Sequence, residues 1–203
     1  LCACPTALPR KGSPFRLGCP PPHTVKAVLP VQARRAVWNQ LTSSQSARDI
    51  DPCNVFADAR AQGYKLTMHC DVDQENSVTH IWQCLNDIGV DRIDHGVNAL
   101  EDDALIEEIR RRQLGLTVCP ISNAYVTDGT KASAIKTMLS KNLLVTINSD
   151  DPAYFPGYMN ENLLRVQEEA DLNKEEITQL VRNAFEGSWL TDDRRVTYMS
   201  QVD

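Results

Sequence analysis

Apolar residues change their spacing at regular intervals along most of the chain. Val78, Ile81, Trp82, Leu85 and Ile88 recur at steps of three, one, three and three, the face of an amphipathic helix, and Gly89 supplies its stop. Leu100, Ala104, Leu105 and Ile109 mark the next helix. Glu101, Asp102 and Asp103 stand at its start and Arg110, Arg111 and Arg112 at its end, the order the helix dipole favours. Ile135, Met138 and Leu139 mark another. Leu163 and Leu164, then Ile177, Leu180, Val181, Ala184 and Phe185, mark two more. A shorter helix through Val55, Phe56 and Ala59 ends at Gly63. Between these faces lie short apolar runs: Tyr64 to Met68, Val90 to Asp94, Leu114 to Val118 and Leu143 to Ile147. Strands beginning near 65, 91, 115 and 143, each followed by a helix, predict a parallel α/β sheet with right-handed crossovers. An open doubly wound sheet and part of a (β/α)8 barrel both satisfy this pattern. The chain has no Gly-x-Gly-x-x-Gly, so the dinucleotide-binding form of the first has no support.

The first fifty residues follow no such rhythm. Seven of the eleven prolines lie between Pro5 and Pro30, and Pro20-Pro21-Pro22 forbids helix there. Val25, Val28, Val37 and Leu41 allow a short helix over 24–41, and Ser43 to Ser46 read as loop. Residues 1–50 carry a net charge of +6, while the remainder carries −12. The chain therefore divides into a Pro-rich basic arm, 1–50, expected to be poorly ordered with few contacts to the sheet, and a folded part, 51–203. The chain starts at Leu1, which suggests a fragment or a processed product, and the arm suggests a misjoined segment.

With 42% hydrophobic and 24% charged residues, the 203-residue chain has the composition of a globular protein able to bury a core. A net charge of −6 argues against nucleic-acid or membrane-surface binding, which need a basic footprint. No run of about 18 apolar residues offers a transmembrane helix. None of the seven cysteines forms a Cys-x-x-Cys, and no secretory leader is visible, so reduced thiols in the cytoplasm are expected.

Polar residues with catalytic potential follow each strand. His69 follows the first, Asp94 and His95 end the second, Cys119-Pro120 and Ser122-Asn123 follow the third, and Asn148-Ser149-Asp150-Asp151 end the fourth. In a parallel sheet these ends open on one side. Any one of these residues could simply end its strand; the repetition at four strands favours a site. The segments Met68-His69, Asp91-Arg92-Ile93-Asp94-His95-Gly96, Leu116 through Cys119-Pro120-Ile121-Ser122-Asn123, and Thr146-Ile147-Asn148-Ser149-Asp150-Asp151-Pro152 resemble, in order and spacing, the C-terminal half of adenosine and adenine deaminases. The resemblance covers roughly 54–190 and implies a zinc amidohydrolase built on strands five to eight of a (β/α)8 barrel. It implies zinc ligation by His69 and Asp150, steering or deprotonation of the attacking water by His95, and a hydrogen bond from Asp151 to purine N7. A 6-aminopurine, adenine or adenosine, is the implied substrate.

Two features depart from the family. It usually shows His-Ala-Gly-Glu after strand five, whose Glu protonates purine N1. Here the segment is His69-Cys70-Asp71-Val72-Asp73-Gln74-Glu75, in which Glu75 is the candidate acid and Asp71 and Asp73 compete with it. The family also takes two zinc ligands from a His-x-His on strand one. Only His23 and His80 remain, and neither belongs to such a pair. The chain is thus expected to lack strands one to four and to be silent by itself. A non-catalytic half-barrel and a binding module are the competing readings. The strands at Lys65 and Leu143 would be left as open edges inviting self-association.

Overall fold

The computed structural model describes residues 27–30, 52–70 and 72–202. Among the described residues, one parallel sheet holds five strands in chain order: β1 (Ala27–Pro30), β2 (Leu66–Cys70), β3 (Arg92–His95), β4 (Gly115–Val118) and β5 (Leu144–Ile147). Helix α1 (Pro52–Ala61) precedes β2. Helix α2 (Ser77–Gln83) continues as a π-helical turn, Cys84–Ile88. A 3-10 turn, Val97–Glu101, leads into α3 (Asp103–Arg112). Helices α4 (Pro120–Val126) and α5 (Ala132–Ser140) separate β4 from β5, and α6 (Met159–Ala170), α7 (Lys174–Glu186) and α8 (Asp192–Met199) follow. Strand order that equals chain order decides between the two architectures. A doubly wound sheet reverses order at a switch point; an arc of a (β/α)8 barrel does not.

The sheet's register separates two faces. Met68, Ile93, Leu116 and Val145 are partners across four strands, all fully buried against the helices. One residue further along each strand, His69, Asp94, Thr117 and Thr146 form the next rung. Side chains alternate along a strand, so this polar rung faces the opposite way, toward the barrel lumen. Ile81, Leu85, Leu105, Ile109, Ile135, Met138 and Leu180 bring the helices onto the apolar face. Asp102 caps α3 by accepting from the Ala104 and Leu105 amides at 2.8 and 3.3 Å, and the Trp82 indole donates to its other oxygen at 2.9 Å. Asn173 and Glu176 form a reciprocal capping box on α7.

The four predicted strands and the helices between them stand where the periodicity put them. The arm differs. Ala27–Pro30 is a strand paired parallel to β2, not part of a helix over 24–41, so the sheet has one strand more than expected and the β2 edge is covered. Main-chain pairing to β2 supplies what the uneven apolar spacing of this segment did not signal. The remaining expectations for residues 1–50 lie outside the described residues. At the other edge, α7 packs on β5 and the Asn183 amide donates to the Val145 carbonyl at 2.9 Å, so this edge too is partly satisfied. Helices α4 and α8 had no periodic signal: α4 has seven residues and α8 buries none fully. His80 on α2 is half-buried, not exposed. Among the described residues no helix is long and apolar enough to cross a membrane.

Candidate active site

The strand ends shape the site through the backbone. β3 closes on two consecutive left-handed residues, His95 at φ 64° and Gly96 at φ 75°. Glycine is required at 96: a Cβ there would come within 2.8 Å of Leu116 Cδ2. Beyond β5 the Asn148 amide still reaches the Val118 carbonyl, at 2.9 Å, and the chain turns at Asp150 with φ 56°. A left-handed non-glycine residue costs on the order of 1 kcal/mol or more, so two of them at one rim mark a place where side-chain direction outweighs backbone comfort.

The His69 and His95 rings meet edge to face with centroids 4.5 Å apart. His95, Cys119 and Asp150 each offer a ligating atom, and these atoms all lie within 4.8 Å of one another. Ser122 Oγ donates to Asp150 Oδ2 at 2.6 Å. Beneath them, Thr67 and Thr117 hydroxyls donate to Asp94 Oδ1 at 3.0 and 2.9 Å, and Arg92 Nε lies 3.6 Å from the same oxygen. Burial, with the neighbouring His69, pushes the His95 imidazole down from 6.5 to about 4, although Asp150 and Asp94 pull the other way. His95 is therefore neutral at pH 7. Among the described residues, the Nδ1 atoms of both His69 and His95 are buried without a hydrogen-bond partner. Buried nitrogens rarely stay unpartnered, and imidazole, thiol and carboxylate are the donors zinc takes, so this set could hold such an ion.

The structure thus places His95 against His69 on one side and close to Asp150 on the other. Asp151 is exposed beside Asp150, its carbonyl accepting from the Tyr154 and Phe155 amides. Glu75 is exposed before α2 with no hydrogen bond or ion pair among the described residues. Asp73 is engaged: it pairs with Lys131, and its amide donates to Asn98 Oδ1 at 3.0 Å. Asp71 lies outside the described residues. Cys119, Ser122 and Asp94 lie in segments that resemble the family but carried no assigned role, and they stand at the same rim. A cavity of about 670 Å³ lined by Ile109, Asn142, Leu143 and Asn183 includes none of these side chains.

The model of the adenosine deaminase family matches residues 41–203. The chain belongs to the adenosine deaminase family. An uncharacterized deaminase of Schizosaccharomyces pombe is 42% identical over 182 residues, 89% of this chain and 54% of its own. An alignment that long reaches well into residues 1–50, so part of the arm resembles the family after all. An adenine deaminase of Marinomonas is 45% identical over 150 residues, 73% of this chain and 44% of its own. The chain spans about half the length of these curated relatives. Among solved structures, an adenine deaminase from Arthrobacter aurescens superposes with a TM-score of 0.71 at 25% identity, covering 87% of this chain and 59% of that one. An amidohydrolase from Burkholderia ambifaria with bound Zn shares the fold, with a TM-score of 0.66 at 18% identity over 86% of this chain and 54% of its own.

Proposed function

We propose that the chain carries part of a zinc-dependent purine deaminase with adenine as substrate. The observation that supports this most is His95 at the end of β3, which meets His69 of β2 on one side and stands close to Asp150 beyond β5 on the other. The adenine deaminases among its relatives favour adenine over adenosine. In the reaction, water adds at purine C6 and the amino group leaves as ammonia, converting adenine to hypoxanthine.

His69 and Asp150 are the residues assigned to hold zinc. When bound, zinc supplies Lewis acidity that brings the ionisation of water toward neutral pH. His95, neutral through burial, accepts the proton of the attacking water at a ring nitrogen. Asp150, with Oδ2 held by Ser122, shuttles the proton toward the leaving amine. Asp151 hydrogen-bonds N7. Glu75 is assigned to protonate N1, because Lys131 and Asn98 commit Asp73 elsewhere. A cytoplasmic location, where its thiols stay reduced, belongs to the same proposal.

A second reading, a non-catalytic half-barrel, has one observation in its favour: the four histidines include no His-x-His. Catalytic zinc takes three or more protein ligands, and His69 with Asp150 gives two. One assay separates the readings. Residues 1–203 with added zinc are expected to show no loss of adenine or adenosine absorbance alone. Mixing with the part of the Marinomonas relative that this chain does not match is expected to give adenine turnover that His69→Ala and Asp150→Ala each abolish. Turnover by residues 1–203 alone that survives His69→Ala would overturn these assignments. Silence of the mixture, with both parts folded, would favour the non-catalytic reading.

A further inference from the structure

We propose that Cys70 and Cys84 are a modification site, a dithiol that hydrogen peroxide closes into an intramolecular disulfide between the end of β2 and the helix that follows it. No group of the candidate active site takes part, so the proposal is independent of the deaminase reading. The two residues sit 14 positions apart, too far for a Cys-x-x-Cys pattern, yet their Sγ atoms lie 3.6 Å from each other. Sulfurs at that distance are in contact, with no atom between them. Cys70 is the last residue of β2, and Cys84 is the first residue of the π-helical turn that continues α2. Both belong to the apolar cluster on the helix face. His69, one residue before Cys70, faces the lumen, so a bond at Cys70 would tether the strand end that carries His69.

A disulfide bond requires the sulfurs to approach by about a further 1.6 Å, shared between two side chains. The backbone is held on both sides. Cys70 is paired with His95 in the sheet, and the Cys84 carbonyl accepts from the Gly89 and Val90 amides at 3.0 and 3.2 Å. Closure therefore falls to side-chain rotation. Peroxide oxidises one thiol to a sulfenic acid and leaves as water. The second sulfur then attacks the first, the S–S bond forms, and the hydroxyl departs with the remaining thiol proton as a second water. The two sulfurs together lose two electrons and the peroxide gains them. Exposures of 0% for Cys70 and 1% for Cys84 set the oxidant class. Peroxide is small enough to enter through brief local openings, whereas a bulky disulfide such as oxidised glutathione is not. In a reducing compartment the pair rests as thiols and the bond is transient.

The test treats the folded full chain with hydrogen peroxide, quenches, unfolds it in iodoacetamide and digests with trypsin. No Lys or Arg lies between Lys65 and Arg92, so Cys70 and Cys84 leave in one peptide, 66–92, that contains no other cysteine. The expected result is a peptide lighter by two hydrogens that takes up no alkyl group, and that takes up two after dithiothreitol. Oxidised glutathione in place of peroxide is expected to leave the peptide fully alkylated. Cys84→Ser is expected to stop the loss of two hydrogens, but the map of the unaltered chain needs no variant. Because the bond closes a loop in the unfolded chain, the oxidised protein is expected to unfold at higher urea than the reduced one, with dithiothreitol removing the difference. Two alkyl groups retained after peroxide, oxidation of a single sulfur to a sulfinic acid, or a Cys70 disulfide to any cysteine other than Cys84 would overturn the proposal. So would an unfolding midpoint lowered by oxidation, which would mean that the pair closes only by breaking the fold.

Discussion

The two faces of the sheet are built from neighbouring residues and do opposite work. Met68, Ile93, Leu116 and Val145 sit in one rung, belong to the buried apolar cluster, and are sealed by helices. His69, Asp94, Thr117 and Thr146 sit one residue on, and hydrogen bonds link the middle of their rung. The difference shows where stability and chemistry reside. Burial on the helix face is non-directional and scales with area. The lumen face depends on direction, and the Asp94 carboxylate organises it by accepting from Thr67 and Thr117 beside Arg92. Parallel strands buried on both sides are ordinarily apolar throughout; the polar rung here is the departure that marks a site.

Four substitutions sharpen or break this contrast. Ile93→Ala empties the apolar rung and is expected to destabilise by about 2–5 kcal/mol, measured by urea unfolding; a loss well under 1 kcal/mol would mean that the helix face is not the main source of stability. Gly96→Ala meets both a left-handed φ and the Leu116 side chain, so a loss of roughly 1–3 kcal/mol is expected, measured by urea unfolding. Asp94→Ala leaves two hydroxyls without their acceptor and Arg92 without its ion-pair partner, and is expected to cost about 1–2 kcal/mol. Were it to match Ile93→Ala, the polar rung would be as structural as the apolar one. The smallest effect belongs to Glu108, remote from both faces. Hydrogen bonds from Arg111 and Arg112 hold its carboxyl near 2, below its ordinary 4.5. A depressed carboxylate stabilises above its unfolded pKa and loses that contribution as pH falls through the folded value. Glu108→Gln is therefore expected to lower the melting temperature slightly at pH 7, with the difference from the parent vanishing between pH 4.5 and about 2.

Much of the candidate site was legible because its residues follow apolar runs. His69, His95 and Asp150 could be picked from strand ends without any coordinates. Cys119 and Ser122 stood in the same kind of place, but a lone thiol and hydroxyl carry no pattern that says what they will face. The left-handed turns at His95 and Asp150 were not legible, since nothing in Asp94-His95-Gly96 or Ser149-Asp150-Asp151 fixes a positive φ at the non-glycine residue. The strand β1 was missed because four residues held by main-chain bonds to β2 need no periodicity of their own.

The sequence by itself determined the alternation of strand and helix, the places where the chain reverses, and the side of the sheet on which polar residues gather. These are local consequences of spacing, glycine position and charge order along a few turns. Only the tertiary structure decided that the strands lie in chain order, that His95 turns toward Cys119 and Asp150, that Asp73 is taken by Lys131, and that the sheet edges meet β1 and Asn183. Each of those outcomes joins residues distant in the chain, and the free energy that selects among them comes from packing and hydrogen bonds that exist only once the segments have met.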